Sequence, residues 1–359
     1  MRTKLAVSLV ALAGCSLVGN VQAVAETAMP EPPLSAEDCR PDELLVNPCR
    51  PWLGATAWGY PDAPRTVRAQ IEAHERRIAQ RLDIVHQYTG VGDLPLGKEV
   101  ERYFATRPDT ILFQNWKPAA RWADAGGNDE AVNAHIDRAA DTIKSIAPRR
   151  IILTLHHEPE NDVTEGSAGK CTTKPGARAG TPEEYVRMWH NVRERFEARG
   201  ATNVVWAVTY MNYSEWDCLV PLLYPGDEYV DWIAFGAYRG KKITEFEDVV
   251  TRFEKVMSTV GNAMDKPWAI AEWGVSQAPQ SAVYDYYDAA REAVADRRFP
   301  RIKAYVVFDH PGPKQNGGLR VAYSDDGDYD WRELREYRAF ARTVKLSRTG
   351  WWPDVFRWF

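Results

Sequence analysis

The segment ILTLHHEPEND, from Ile152 to Asp162, joins a run typical of a buried strand to a cluster of polar side chains. Three explanations compete for this cluster: a metal site, a catalytic carboxylate, or a polar turn without chemistry. Metalloprotease motifs place two histidines four residues apart on a helix, whereas neighbours on a strand point to opposite faces. The adjacent His156 and His157 therefore argue against a shared metal ion. His156 is predicted to be a buried, hydrogen-bonded histidine, which leaves Glu158 as the candidate for catalysis.

A second glutamate, Glu272, lies at the end of another apolar run, KPWAIAEWG. Two carboxyl groups that face one cleft are what hydrolysis of a glycosidic bond requires. One protonates the leaving oxygen, and the other attacks the sugar or activates water. Carboxyl groups about 5–5.5 Å apart give retention of configuration, and a gap of about 6.5–9.5 Å gives inversion. The alternative is that one of the two glutamates forms only a surface salt bridge.

The elements that must position these glutamates alternate between short apolar runs and longer segments of helical periodicity. The eight runs are PWLGATAW, LDIVHQY, TILFQNW, RIILTLHHE, TNVVWAVTYMN, YVDWIAFGAY, KPWAIAEWG and IKAYVVFDH. Near-continuous apolar runs are typical of parallel strands that are buried on both faces. No linker interrupts the series, which favours one α/β domain, a (β/α)8 TIM barrel, over a doubly wound sheet. The segment GATAWGYP also lacks the glycine-rich first turn of a dinucleotide-binding sheet.

Helix signals agree with this alternation. The fourth helix is predicted to begin with Thr181 as its cap and Pro182 at its first position, and Gly200 ends it. After the fifth strand the pattern predicts only a short helix, within CLVPLLYP.

Catalytic residues of such a barrel lie at the C-terminal ends of its strands. The residues at these ends are aromatic, amide, imidazole and carboxylate side chains: Trp58, His86, Tyr88, Asn115, Trp116, His157, Glu158, Tyr210, Asn212, Tyr238, Glu272, Trp273 and Phe308 to His310. Strands 4 and 7 lie across the barrel from each other, so both glutamates can face one cleft. The set contains no glycine-rich phosphate loop and no acidic cluster suited to a divalent metal.

The order of these motifs resembles glycoside hydrolase family 26, a family of clan A barrels. The resemblance rests on His-Glu after strand 4, on AEWG at strand 7, and on YPGDEYVDWIAFGAY, TNVVWAVT, LDIVHQY and FQNWKP, over residues 52 to 345. It implies that Glu158 is the acid/base and that Glu272 is the nucleophile of a retaining enzyme. It further implies that Tyr238 hydrogen-bonds the nucleophile and that His157 binds near the sugar at the cleavage site.

The same resemblance suggests which other side chains bind substrate. Trp116 and Trp273 are expected to be walls of the sugar cleft, with packing at the top of the barrel as the alternative. Asn212 and Trp58, at the ends of strands 5 and 1, complete the expected substrate-binding set. Glu160 is expected in the loop after strand 4, with a sugar contact as the alternative.

The sequence departs from the family where the sugar is selected. Typical β-mannanases continue after His-Glu with a segment rich in Gly and Trp, whereas here PENDVTEGSAGKCTTKPGARAG is polar and lacks Trp. Strand 8 ends in Phe308, where many clan members carry Trp. An endo-β-1,4-mannanase is the first expectation, and a β-1,3/1,4-glucanase, a β-1,3-xylanase or an exopolysaccharide hydrolase remains open. The scheme requires no cofactor and no metal. The alternative of another class is a non-catalytic carbohydrate-binding lipoprotein.

The amino-acid composition indicates which classes of partner are expected. The 359 residues carry a net charge of -5 without a basic patch, which argues against nucleic acid as a partner. The 14 Trp and 16 Tyr are many for this length, and sugar-binding clefts use flat aromatic faces. The expected partner is a polysaccharide, and the expected state is a monomer.

The N-terminus indicates export. A basic start and the apolar run LAVSLVALAG are followed by LAGC, which resembles a bacterial lipobox with Cys15 as the lipidated residue. The alternative is cleavage after VQA and release of a soluble secreted protein. The chain is thus divided into a signal segment (1–15), a tether and N-terminal extension (16–50), a catalytic domain (51–346) and an aromatic tail (347–359). A surface or periplasmic lipoprotein, with membrane contact only through the anchor, is expected. The tail, GWWPDVFRWF, is expected to pack on the barrel, with sugar binding as the alternative.

Four cysteines remain besides Cys15, which suggests two disulfides in an oxidising compartment. Three pairings exist for Cys39, Cys49, Cys171 and Cys218. In a barrel, the loops after strands 4 and 5 are neighbours at the active face, and they carry Cys171 and Cys218. This topology favours a Cys171–Cys218 disulfide, and with it the pair Cys39–Cys49.

Overall fold

A computed structural model describes residues 39–239, 244–275, 280–310, 321 and 330–346. Eight parallel strands close into a barrel, because each strand pairs with the next and the eighth pairs with the first. The strands are β1 (Trp52–Ala57), β2 (Ile84–Thr89), β3 (Ile111–Trp116), β4 (Ile151–Leu155), β5 (Val204–Tyr210), β6 (Trp232–Arg239), β7 (Trp268–Val275) and β8 (Ile302–Asp309). The prediction of a single (β/α)8 barrel is confirmed.

Seven α-helices lie around the barrel in the described part of the chain. They are α1 (Val67–Ile78), α2 (Glu99–Thr106), α3 (Glu130–Lys144), α4 (Pro182–Ala198), α5 (Phe246–Met257), α6 (Gln280–Ala295) and α7 (Trp331–Leu346). Helix α4 begins as predicted, since the Thr181 hydroxyl accepts a hydrogen bond from the Glu184 backbone N–H. Between β5 and β6 the chain forms two 3₁₀ helices, Ser214–Leu219 and Pro221–Leu223, in place of an α-helix.

Apolar side chains form two layers that differ in size. The outer layer, between strands and helices, holds most of the large residues. The inner layer, within the barrel, contains several alanines: Ala207, Ala234, Ala269, Ala271 and Ala304. Nearer the C-terminal end of the barrel, polar side chains such as His86, Asn115 and Glu272 are buried.

A bulge in β7 determines which side chains of this strand face the interior. Phe235 of β6 pairs with Ile270, but the next residue, Gly236, pairs with Glu272, so Ala271 is an extra residue in β7. Ile270, before the bulge, and Trp273, after it, both belong to the outer layer. The extra residue thus shifts the alternation of side chains by one position, as β-bulges near active sites do. Glu272 faces the barrel interior because of this shift.

Residues 39–50 close the N-terminal end of the barrel. A disulfide joins Cys39 to Cys49, whose Cα atoms lie 5.3 Å apart. The backbone oxygens of Leu44 and Leu45 accept hydrogen bonds from the indoles of Trp232 (2.7 Å) and Trp52 (2.6 Å). Because both indoles belong to the inner layer, this part of the N-terminal extension is integral to the folded barrel.

Several sequence predictions lie outside the described residues: the signal segment, Cys15, the tether up to residue 38 and the aromatic tail 347–359. Among the residues that the structure does describe, no helix is both long and apolar enough to cross a membrane.

Candidate active site

Glu272 is held at the C-terminal end of β7 by two tyrosines. The hydroxyl of Tyr88, on β2, donates to its Oε1 at 2.6 Å, and the hydroxyl of Tyr238, on β6, donates to its Oε2 at 2.8 Å. The side chain is only 8% exposed. Each carboxylate oxygen therefore has its own hydroxyl donor, which fixes the orientation of the group. The sequence predicted the contact of Tyr238 and assigned no role to Tyr88.

Glu158 lies in a tight turn immediately after β4. His156 and Glu158 both have positive φ angles, 44° and 53°, so the chain leaves the strand abruptly. The Glu158 backbone N–H donates to the carbonyl oxygen of Thr209 at 2.8 Å, which holds the turn against β5. Its side chain is half-buried, and its Oε2 accepts one long hydrogen bond from Asn161 Nδ2 at 3.3 Å. Glu158 is held by fewer and weaker contacts than Glu272.

The two carboxyl groups share one electrostatic environment. Burial raises the pKa of Glu158 well above its usual range, and the charge of Glu272 raises it further. Burial also raises the pKa of Glu272, but the hydroxyls of Tyr88 and Tyr238 act in the opposite direction because they donate to the ionised form. The pair therefore favours a protonated Glu158 opposite an ionised Glu272.

Two neutral histidines line the same space. Burial lowers the pKa of His157 to about 3 and that of His86 to about 4. The His157 ring lies edge-on to Tyr88, with ring centroids 5.1 Å apart, and its buried Nδ1 has no hydrogen-bond partner among the described residues. His157 is thus placed beside the tyrosine that holds Glu272, as a neutral imidazole.

The floor of this space is polar and incompletely paired. His86 stacks on Phe113 of β3 at 4.6 Å between ring centroids. Neither amide atom of Asn115, nor Nε2 of His86, makes a well-formed hydrogen bond in the part of the chain that is described. Buried polar atoms of this kind are uncommon in proteins and mark a place that can receive a polar ligand.

Two tryptophans predicted to wall the cleft do not reach it. Trp116 and Trp273 are fully buried in the outer layer. The indole of Trp116 donates to the Asp93 carbonyl oxygen at 3.1 Å, and Trp273 packs on Phe340 at 4.7 Å between ring centroids. The prediction was wrong because neighbours on a strand point to opposite faces. Since Glu272 points inward, Trp273 must point outward.

The side chain of Asn212 forms hydrogen bonds within the protein instead of the expected contact with sugar. Its Nδ2 donates to the carbonyl oxygen of Gly236 at 2.9 Å, and its Oδ1 accepts from the guanidinium of Arg252. The side chain therefore ties the end of β5 to β6 and α5, and its amide is already engaged. Trp58, the remaining residue of the predicted set, is half-buried just beyond the end of β1.

The other polar residues of the strand-4 turn are buried more deeply than a loop would suggest. Glu160 is 1% exposed, and its Oε1 accepts from the Met211 backbone N–H at 2.9 Å. Burial raises the pKa of Glu160 to about 7. This burial contradicts the alternative of a sugar contact from Glu160. His156 is buried, and its Nε2 lies 2.8 Å from the carbonyl oxygen of Ala119, which confirms its prediction.

The loops after β4 and β5 are joined at this face of the barrel. A disulfide links Cys171 to Cys218, whose Cα atoms are 5.6 Å apart. Within the described residues, no group of three His, Cys, Asp or Glu side chains is arranged to hold a metal ion.

Comparison with known proteins agrees with the geometry of the site. The family model described as glycosyl hydrolase family 26 matches residues 116–298, which include both glutamates and Tyr238. Endoglucanase H of Acetivibrio thermocellus is 26% identical over 216 residues, which are 58% of this chain and 23% of that protein. The chain thus spans less than a quarter of the length of this curated relative.

Solved structures show the same fold. A GH26 β-mannanase from Bacteroides ovatus superimposes with a TM-score of 0.57 at 16% identity, over 82% of this chain and 89% of the other. A GH26 protein from a Muricauda species superimposes with a TM-score of 0.52 at 12% identity, over 74% and 80% of the two chains. At these identities the likeness concerns the barrel and carries nothing about substrate.

Proposed function

Because the chain belongs to glycosyl hydrolase family 26, we propose that it is a retaining glycosidase that cleaves a β-linked polysaccharide. The observation that carries this proposal is the contrast between the two carboxyl groups. Glu272 receives two hydroxyl donors, whereas Glu158 receives one long amide contact and feels the charge of Glu272. A proton donor and an ionised nucleophile in one cleft are the two groups that the reaction needs.

In the first step, Glu272 attacks the anomeric carbon and forms a glycosyl ester. Glu158 transfers its proton to the glycosidic oxygen, so the leaving sugar departs as a neutral alcohol. In the second step, Glu158, now ionised, removes a proton from water as that water attacks the same carbon. The ester bond to Glu272 breaks, Glu158 is protonated again, and the product keeps the β configuration.

Other side chains position the reacting groups. Tyr88 and Tyr238 hold Glu272 in one orientation and keep it ionised. The neutral His157 lies against Tyr88 and has a buried Nδ1 without a partner among the described residues, so we propose that it hydrogen-bonds the sugar at the cleavage site. The unpaired amide of Asn115 provides a further polar contact on the floor.

For the substrate, we propose a β-1,4-linked hexose polymer that is cut internally. Mannan is the first candidate, from the resemblance of the strand-end motifs. A β-glucan is the second, because the curated relative is named an endoglucanase. We further propose that the protein is exported and anchored through Cys15, and that it acts as a monomer.

A hydrolysis screen of the mature protein tests this proposal. The panel contains mannan, glucomannan, mixed-linkage glucan, curdlan, laminarin, β-1,3-xylan and β-1,4-xylan, with release of reducing ends as the readout. Glu158→Ala and Glu272→Ala are assayed beside the wild type, and Glu130→Ala, in the exposed first turn of α3, is the matched control. We expect one polymer to be cut by the wild type and the control, and cleavage to be lost in Glu272→Ala.

Two results would contradict the proposal. Equal activity in all four proteins would mean that the site is elsewhere. A wild type that binds one polymer in affinity electrophoresis, but cleaves none, would favour the carbohydrate-binding alternative.

A further inference from the structure

An aromatic pair lies on the loop that follows β5. Tyr213 is 49% exposed, and Trp216 is half-buried against the outer apolar layer. Their ring centroids are 5.4 Å apart, with the ring planes inclined at 48°. No role in folding explains the exposure of Tyr213, because its ring contributes little to the core. An exposed aromatic ring supported by a second ring is a surface that can bind a ligand.

The loop that carries this pair is fixed by three kinds of contact. The Cys171–Cys218 disulfide joins it to the loop after β4. Arg252, on α5, donates to both carboxylate oxygens of Asp217 and, at 2.5 Å, to the backbone oxygen of Asn212. The residues next to Tyr213 and Trp216 are therefore held, so the aromatic pair needs little ordering when a ligand binds. Such preorganisation reduces the entropic cost of binding.

The loop that carries the pair begins on the acid side of the cleft. Asn161 Nδ2 contacts both Glu158 Oε2, at 3.3 Å, and the sulfur of Met211, at 3.2 Å. Met211 lies only two residues before Tyr213 in the chain. Because Glu158 protonates the departing oxygen in the proposed reaction, the sugar that departs must lie on this side of the cleft. The loop after β5 therefore begins next to the acid, two residues before Tyr213.

We propose that Tyr213 and Trp216 form a platform for a pyranose unit on the leaving-group side of the cleavage point. The class of ligand is a β-linked hexose polymer, whose rings present flat C–H faces to aromatic side chains. This inference rests on the proposed hydrolase function, since it is the role of Glu158 that defines the leaving side. It assigns the contacts with the leaving sugar to the strand-5 loop, while the strand-4 loop is polar.

The test compares two kinds of substrate for Tyr213→Ala, Trp216→Ala and the double variant. An aryl β-glycoside has no sugar on the leaving side, whereas an oligosaccharide of the preferred polymer has sugars on both sides. We expect kcat/KM for the oligosaccharide to fall about tenfold in the double variant, and kcat/KM for the aryl glycoside to stay unchanged. Tyr103→Ala is the control. This aromatic lies in a groove with Arg76 and Pro108 near the start of β3, whereas the candidate active site lies at the C-terminal ends of the strands.

Two results would overturn the platform. An unchanged kcat/KM for the oligosaccharide would mean that the pair does not contact the leaving sugar. An equal loss on both substrates would mean that the substitutions disturb the site as a whole.

Failure of the hydrolase function itself would be recognised separately, because the wild type would then cleave neither substrate. In that case affinity electrophoresis on the same polymers still tests the platform. Weaker retardation of the double variant than of the wild type would support it, and equal retardation, or none for either protein, would contradict it.

Discussion

The ends of β4 and β7 present the same functional group in two different settings. Glu272 stays within its strand, turned inward by a bulge, and both of its oxygens accept hydrogen bonds from tyrosine hydroxyls. Glu158 has left its strand through a left-handed turn, and its carboxyl group has one long contact. Burial alone would make both groups retain a proton. The tyrosine hydroxyls that stabilise ionised Glu272, together with the charges of Glu272 and Glu160 that raise the pKa of Glu158, divide the pair into an anion and an acid.

The largest effect is expected when the anionic member of the pair is removed. Glu272→Ala should lower kcat by on the order of 10⁵ or more, because no other group in the cleft can form the ester. Steady-state kinetics on the preferred polymer measures the effect, with Glu130→Ala as the control. Residual activity within tenfold of the wild type would show that Glu272 is not the nucleophile.

A smaller and substrate-dependent loss is expected for the acid. Glu158→Ala should lower kcat/KM on a polysaccharide by roughly 10²–10⁴, the usual contribution of general acid catalysis. The loss of kcat/KM should nearly vanish for an aryl glycoside with a strongly acidic phenol, because that leaving group departs without protonation. Paired assays on the two substrates measure the difference. A loss of equal size on both would contradict the assignment of Glu158 as the acid.

Tyr88 and Tyr238 test whether hydrogen bonding distinguishes Glu272 from Glu158. Tyr88→Phe and Tyr238→Phe should each lower kcat/KM by about 10- to 100-fold, since each removes a hydrogen bond to a charged group. Loss of a donor to the ionised form raises the pKa of Glu272, so the acidic limb of the pH–activity profile should move to higher pH. Tyr224→Phe, which removes a hydroxyl that donates to Asp227 on the surface, is the matched control. An acidic limb that does not move would show that these hydroxyls do not tune the nucleophile.

The smallest effect concerns Glu160, the buried carboxyl behind the acid. Its charge contributes to the raised pKa of Glu158, so Glu160→Gln should move the alkaline limb of the profile to lower pH, by about half a unit. Glutamine can still accept the Met211 N–H, so the turn should keep its shape.

Glu160→Gln should also change how stability depends on pH. The pKa of Glu160 is raised to about 7 in the folded state, so ionisation of this carboxyl disfavours folding. As the pH rises from 4.5 to 7, the wild type should therefore lose stability relative to the variant. Thermal unfolding of both proteins at pH 5 and pH 8 measures this difference. The same difference in unfolding temperature at the two pH values would contradict it.

The fold could be read from the sequence because each strand is a compact apolar run and no linker interrupts the series. The connection from β5 to β6 was less regular than the rest, and it forms 3₁₀ helices around the Cys171–Cys218 disulfide and the Asp217–Arg252 ion pair. The disulfide was predicted from the topology of the barrel, but no local pattern predicts the ion pair, which joins residues distant in the chain.

The two glutamates were found because a carboxylate directly after a buried strand has few structural explanations. Tyr88 was missed because a tyrosine at a strand end is equally typical of packing. Trp116 and Trp273 were misplaced because the inward face of a strand depends on its neighbours, and in β7 also on a bulge. Side chains alternate between the two faces of a strand. If Asn115 and Glu272 are taken to face the interior, the next residues, Trp116 and Trp273, must face outward.

The most direct test of the division between the two glutamates is the configuration of azide products. Azide replaces a missing carboxylate as nucleophile, so Glu272→Ala with an activated aryl β-glycoside and azide should form an α-glycosyl azide. Glu158→Ala still forms the ester, which azide attacks from the opposite face, so it should form a β-glycosyl azide. Proton NMR of the anomeric hydrogen distinguishes the two products. The reverse pair of products would contradict the assignment, and so would the same configuration from both variants.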